Sequence, residues 1–80
     1  MNDLEISKAL ALAIGWTGGA WKMFDYRDWN VIGPIAERFD AFPKKLASME
    51  GWWADVFGKD ARFADTPQKA IALAVIGAKK

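Results

Sequence analysis

Carboxylates are the main residues of this 80-residue sequence that could support catalysis, because it contains no histidine and no cysteine. Two pairs stand close in sequence, Asp25 with Asp28 and Asp60 with Asp65. General acid–base catalysis with two carboxyl groups needs environments that push their pKa values apart. Asp25 and Asp28 instead flank one predicted helix start and Asp65 precedes another, where the helix dipole favours a carboxylate. Asp60 lies in a predicted turn, so neither pair indicates an active site.

Hydroxyl groups give no stronger signal for nucleophilic catalysis. Ser7 and Ser48 have no base in a recognisable nucleophile–base arrangement, and Tyr26 is the only tyrosine. The absence of cysteine and histidine also removes thiolate and imidazole metal ligands. We therefore predict that the chain is not an enzyme and has no catalytic residue, no metal site and no cofactor.

The charge distribution argues against a strong nucleic-acid interface. The net charge is +1, with four basic and six acidic side chains in residues 1–40 and seven and four in residues 41–80. Proteins that neutralise several phosphates carry a clustered basic face. The longest apolar runs have eight residues, too few to cross a bilayer, and the first ten residues lack the basic start of a signal peptide. We expect no membrane contact and a cytoplasmic location.

The elements that would position any functional residue begin with a helix over residues 2–15. Asn2 is its predicted N-cap, Glu5 completes a capping box, and Gly15 is the predicted stop. A second helix is predicted over residues 30–42, with Asn30 favoured over Asp28 as its cap. Asn30 is favoured because Pro34 should lie in or near the first turn. The predicted apolar positions are Ile6, Leu10, Ala13 and Ile14 in the first helix and Ile32, Ile35, Ala36 and Phe39 in the second.

Three short strands and a last helix complete the chain. The strands are predicted over residues 45–49, 52–57 and 61–64, with turns at residues 50–51 and 58–60. Thr66 and Pro67 predict the start of the last helix, and Gly77 its end. Its predicted inward positions are Ala70, Ile71, Ala74, Val75 and Ala78.

The adjacent tryptophans of "GWWADVFG" predict how the sheet is covered. Successive strand residues point to opposite faces, so Trp52 lies with Ala54 and Val56, and Trp53 with Asp55 and Phe57. Both faces then carry apolar side chains, which predicts an α+β domain over residues 1–80. In this α/β/α sandwich, three helices cover a short antiparallel three-stranded sheet in the order α-α-β-β-β-α. The predicted core is Ile6, Leu10, Ile14, Ile35, Phe39, Trp52, Trp53, Phe57, Ile71 and Val75.

Four segments resemble the phage ABA sandwich domain family. They are the "GW" at Gly15, "FDYRDWNVIGPIAERFDAF" over residues 24–42, "GWWADVFG" over 51–58 and "ARFADTPQKAIALAVIGA" over 61–78. The last segment matches best, through its Ala-Asp-Thr entry into an alanine-rich helix. The resemblance implies an α/β/α arrangement and a phage or prophage origin, hence the cytoplasm of a bacterial host, and it implies no activity.

Aromatic residues between the first two helices carry the functional prediction. Five of the eleven aromatics lie within residues 16–29, and exposed Trp and Arg side chains are common interface anchors. We predict a protein-interaction module that contacts a host or phage protein through Trp21, Arg27 and Trp29. It is expected to be a monomer, or a homodimer that pairs along the third strand. The alternative is single-stranded nucleic-acid binding by these rings with Lys22, Arg27, Lys44 and Lys45.

Overall fold

Three helices and a three-stranded antiparallel sheet make up the part of the chain that the computed structural model describes. These residues are 2–16, 24–47 and 50–78, without the side chains of Lys59 and Asp60. The helices are α1 (Asp3–Ile14), α2 (Trp29–Phe39) and α3 (Pro67–Ala78). The sheet has the order β1-β2-β3, from strands β1 (Lys44–Lys45), β2 (Trp52–Val56) and β3 (Lys59–Ala64). The predicted α+β class and element order are confirmed.

Helix α1 begins and ends as predicted. The Asn2 side chain accepts a hydrogen bond from the Glu5 backbone N–H at 2.8 Å, and the Glu5 carboxylate accepts one from the Asn2 N–H at 3.2 Å. Gly15 follows the helix with φ +74°, a left-handed conformation in which its N–H still reaches helix carbonyls. These two ends are set by local chemistry alone, which is why the sequence predicts them.

The N-cap of helix α2 lies two residues earlier than predicted. Asp28 is the N-cap, and its side chain accepts from the Asn30 N–H at 2.9 Å, so the prediction of Asn30 as cap is wrong. Pro34 therefore lies in the second turn, where its missing N–H removes one helix hydrogen bond. The helix ends at Phe39, because Asp40 adopts a left-handed conformation with φ 51°.

Helix α3 starts as predicted but does not stop at Gly77. The Thr66 hydroxyl accepts from the Lys69 N–H at 3.2 Å, as expected of the cap before Pro67. Gly77 lies inside the helix, and a Cβ there would be 2.8 Å from a guanidinium nitrogen of Arg62. Gly77 lets β3 approach the end of α3. In the sequence this glycine looks like a helix stop, but its role is in packing. Ala78, predicted to face inward, is exposed.

The strand boundaries differ from the predictions at the turns. Strand β1 is at Lys44–Lys45, with Lys44 opposite Trp53; residues 48 and 49 of the predicted strand lie outside the described part. The turn between β2 and β3 is Phe57–Gly58, with φ of 53° and 77°. Two positive φ values make a type I′ turn, which matches the twist of a hairpin. Strand β3 therefore begins at residue 59 rather than 61.

Helix α3 is the central layer of the described structure. It packs on β2 and β3 with one side, while α1 and α2 pack against it from the other. A helix that is apolar all round is buried all round, and α3 matches this pattern. Its buried residues are Ala70, Ile71, Ala72, Ala74, Val75 and Ile76. The order of layers is therefore sheet, then α3, then α1 with α2.

Most of the predicted core lies around α3. Two of its members, Ile14 and Trp52, are partly buried and pack against this core. Phe57 is 61% exposed, so its assignment to the core is wrong: it occupies the hairpin turn. Trp53 is half-buried on the face of the sheet that points away from α3. The fully buried predicted residues are Ile6, Leu10, Ile35, Phe39, Ile71 and Val75.

We expect Gly51→Ala to lower the free energy of unfolding by more than about 1 kcal/mol. Gly51 has φ +129°, and a Cβ there would lie 3.1 Å from the Ala64 carbonyl oxygen and 3.4 Å from Leu46 Cδ1. The matched control is Gly33→Ala in α2, where a Cβ meets nothing within 4 Å. The control should stabilise the domain by about 0.5–1 kcal/mol through helix propensity. Urea unfolding followed by circular dichroism measures both, and equal effects of the two substitutions would contradict the strain at Gly51.

Candidate interaction surface

The face of the sheet opposite α3 carries two neighbouring aromatic side chains. Trp53 of β2 pairs directly with Phe63 of β3, while its neighbour Ala54 is fully buried on the α3 side. Side chains of directly paired residues lie on the same face, a few ångströms apart. Phe63 is 63% exposed. We call Lys44, Trp53, Asp55 and Phe63 the outer sheet face.

Lys44 holds the centre of the outer sheet face in place. Its Nζ lies 4.5 Å from the centroid of the Trp53 ring and 3.8 Å from Asp55 Oδ1. An ammonium over an indole face is attracted by the ring quadrupole. The same contacts place a carboxylate beside the cation, so Lys44 contributes little net positive charge to this face. The Trp53 ring is thus presented in an ordered position.

An apolar groove continues from the outer sheet face to the end of β3. Leu46, Phe63 and Ala64 line it together with the carboxylates Glu50 and Asp65. Gly51 adjoins the groove, since a Cβ there would lie 3.1 Å from the Ala64 carbonyl oxygen and 3.4 Å from Leu46 Cδ1.

The two carboxylates of the groove differ in their surroundings. Glu50 is exposed and has no ion pair with any residue that the structure describes. The Asp65 side chain is 80% exposed, and its Oδ1 lies 3.9 Å from Lys69 Nζ. An exposed pair at this distance contributes at most about 1 kcal/mol. The groove therefore combines an apolar lining with one carboxylate, Glu50, that has no ion pair among the described residues and a second, Asp65, that lies beside Lys69.

The residues predicted to contact a partner lie in another part of the molecule. Trp21 lies outside the described residues. The Arg27 guanidinium is exposed but engaged, at 2.9 Å from Asp25 Oδ2 and 3.3 Å from Asp3 Oδ2. Trp29 is the first residue of α2 and is 50% exposed. Arg27 and Trp29 are thus accessible, and their role as contact residues stays a prediction.

Tyr26 holds the segment of residues 24–28, which leads into α2, against the rest of the domain. Only 2% of this residue is exposed, and its hydroxyl donates to Asp3 Oδ1 at 2.5 Å. Its backbone N–H donates to the buried Ser7 hydroxyl at 3.3 Å. Gln68 of α3 donates to the neighbouring Arg27 carbonyl at 3.2 Å. The segment is therefore tied to both α1 and α3.

Tyr26 and Asp25 have shifted pKa values with a structural cause. Burial raises the pKa of Tyr26 well above its usual range, and the hydrogen bond to Asp3 and the charge of that carboxylate act in the same direction. Hydrogen bonds from the Arg27 side chain and backbone lower the pKa of Asp25. Neither shift moves a group toward neutral pH, where a general acid or base works best.

The carboxylates considered as catalytic candidates have structural partners instead. Asp28 caps α2, and Asp25 accepts hydrogen bonds from Arg27. Asp65 lies near Lys69. Among the described residues no group of three or more acidic side chains could hold a metal ion. Asp60 has no described side chain, and Ser48 lies outside the described residues.

Sequence reasoning missed the exposure of the outer sheet face. The prediction placed the three helices over both faces of the sheet. The signal that could have corrected this is the last helix, "IALAVIGA", which has no polar side to expose to solvent. Such a helix must be buried on both sides, so α1 and α2 pack on it rather than on the sheet.

Comparison with known proteins gives no relative of this chain. No family model, no curated protein and no solved structure matches it. The resemblance to the phage ABA sandwich domain family rests on sequence motifs and stays a prediction. In the part of the chain that is described, no helix is long and apolar enough to cross a membrane.

The raised pKa of Tyr26 predicts alkaline instability. The fold favours the neutral phenol, so this contribution is fully present below the ordinary tyrosine pKa of about 10 and is lost as pH rises above it. Because Tyr26 is the only tyrosine, tyrosinate absorbance reports it directly. We expect tyrosinate to form only at a pH above the ordinary pKa of tyrosine, together with the loss of the circular-dichroism signal that reports unfolding.

The control for this titration is Tyr26→Phe. It should cost about 1 kcal/mol at neutral pH through the lost hydrogen bond, and its stability should fall less than that of the wild type above pH ~10. Tyrosinate formation near pH ~10 in the still folded wild type would contradict the burial of this hydroxyl.

Proposed function

We propose that the chain is a non-catalytic protein-interaction module that contacts its partner through the outer sheet face. The observation that carries this proposal is the adjacent pair Trp53 and Phe63 on a sheet face that α3 does not cover. Trp and Phe are enriched at the centres of protein interfaces. Lys44 orders the Trp53 ring before any partner arrives, which lowers the entropy lost on binding.

An exposed Phe63 does not give the fold the stability that its burial would give, and a role in folding does not explain this exposure. Burying a Phe side chain stabilises a protein by roughly 1.5–3 kcal/mol, a large share of the stability of a small domain. Single exposed apolar residues are common on protein surfaces. Here two cross-strand partners, Trp53 and Phe63, lie on one face, and Phe63 also lines an apolar groove; exposed apolar surface gathered in this way marks interaction sites.

Single-stranded nucleic-acid binding is the second candidate, because Trp53 and Phe63 could stack bases with Lys44 and Lys45 nearby. The local charge disfavours it. Lys44 lies against Asp55, and the groove beside Phe63 carries two carboxylates. A phosphate backbone would be repelled there, whereas a polypeptide partner can supply matching cations.

The biological setting of the proposal follows from the resemblance to phage ABA sandwich proteins. On this view the chain is a phage or prophage accessory protein that binds a host or phage protein in the cytoplasm of a bacterial host. The absence of His and Cys from the sequence supports a binding role over a catalytic one.

The test compares Phe63→Ser and Trp53→Ser with the wild type in capture of proteins from a bacterial lysate, after nuclease treatment and at two salt concentrations. The matched control is Leu12→Ser on α1, which also removes an exposed apolar side chain, here 76% exposed. We expect the wild type and Leu12→Ser to retain the same companion and both sheet variants to lose it. Because Phe63 is mostly exposed, the Tm of Phe63→Ser should stay within a few degrees of the wild type.

Two results would contradict the proposal. A companion retained equally by all four proteins would show that the outer sheet face does not bind it, and would return attention to Trp21, Arg27 and Trp29. Companions that disappear with nuclease would favour the nucleic-acid alternative.

A further inference from the structure

The charge and shape of the groove point to the class of partner. We infer that the module binds an extended peptide segment, which places an apolar side chain against Leu46 and Phe63 and a neighbouring Lys or Arg beside Glu50 and Asp65. This inference rests on the proposed function and names the chemistry of its partner.

The first argument is charge complementarity. Glu50 lines the groove without an ion pair among the described residues, and Asp65 is largely exposed beside it. Two carboxylates at the same groove attract a cation and repel an acidic segment. The apolar lining between them would meanwhile bury the hydrocarbon stem of a Lys or Arg side chain. A basic residue next to an apolar one is the sequence pattern that satisfies both features.

The second argument is size. Strands about 4.8 Å apart and residues of about 3.4 Å each, with five residues in β2 and only two in β1, give the sheet itself an outer face of at most about 250 Å². A stable interface between two folded proteins buries about 800 Å² on each partner. The outer sheet face alone is therefore small for a folded domain or a second copy, whereas an extended segment needs only a few side-chain contacts.

Pairing of a second copy along β3 is disfavoured for a separate reason. Ala54 lies opposite Arg62 and Val56 opposite Lys59, so two residues of β3 face Asp55 alone. This irregularity is a β-bulge in the edge strand, and bulges hinder edge-to-edge pairing. A second copy paired along β3, as in the predicted homodimer, is therefore not the partner that we propose.

The experiment selects random 12-residue peptides, displayed on a carrier, against the full 80-residue chain, and resynthesises the most enriched ones with a fluorescent label. We expect the enriched sequences to place Lys or Arg within two positions of a large apolar residue. The labelled peptides should bind at least tenfold more weakly to Phe63→Ser and at least threefold more weakly to Glu50→Gln. The charge effect should shrink as salt is raised.

Matched controls keep the effects specific. Glu37→Gln removes an exposed carboxylate from α2, and Leu12→Ser an exposed apolar side chain from α1; neither should change the dissociation constant. Because Glu50 and Phe63 are exposed, circular dichroism should show that both test variants fold.

The remaining outcomes separate this inference from the proposed function. One outcome is that the enriched peptides lack basic residues and bind more weakly to Phe63→Ser but not to Glu50→Gln. That result would overturn the inference of a basic partner and leave the outer sheet face as a binding surface. A lack of enrichment would overturn the extended peptide even if the lysate companion depends on Phe63. A dimer in solution that Phe63→Ser dissociates would identify a second copy as the occupant. Displacement of the peptides by an oligothymidine would identify single-stranded nucleic acid.

Discussion

The packing of α3 is the constraint on which the rest of this structure depends. One helix, apolar on nearly all sides, must be covered on all sides, and the sheet can cover only one of them. Helices α1 and α2 cover the other. Because the two remaining helices pack on α3, the far face of the sheet has no helix on it in the described structure.

A second set of contacts holds the segment of residues 24–28, which leads into α2. The buried phenol of Tyr26 and the carbonyl of Arg27 attach this segment to Asp3 and Gln68, at the starts of α1 and α3. The charged and polar groups of the segment are thereby used to hold the layers together. The cluster with the strongest pKa shifts therefore holds this part of the chain in place.

Local chemistry made much of the fold predictable. The Asn2–Glu5 capping box, the stop at Gly15 and the Thr66 cap each depend on residues a few positions apart, and the sequence alone predicted them. The prediction of a helix end at Gly77 failed because a distant neighbour decides: the missing side chain of Gly77 leaves room for Arg62 of β3. The prediction of Asn30 as cap failed locally, since Asp28 caps α2 although Pro34 then costs a hydrogen bond.

The sequence by itself determined the α+β class, the order of elements and the alternation that separates Trp53 from Ala54. Only the tertiary structure decided which face of the sheet is covered, because that depends on where α1 and α2 find apolar surface. The same choice decides that Phe63 is exposed and that it meets Glu50 in one groove. The candidate site is thus a property of layer packing between segments far apart in the chain.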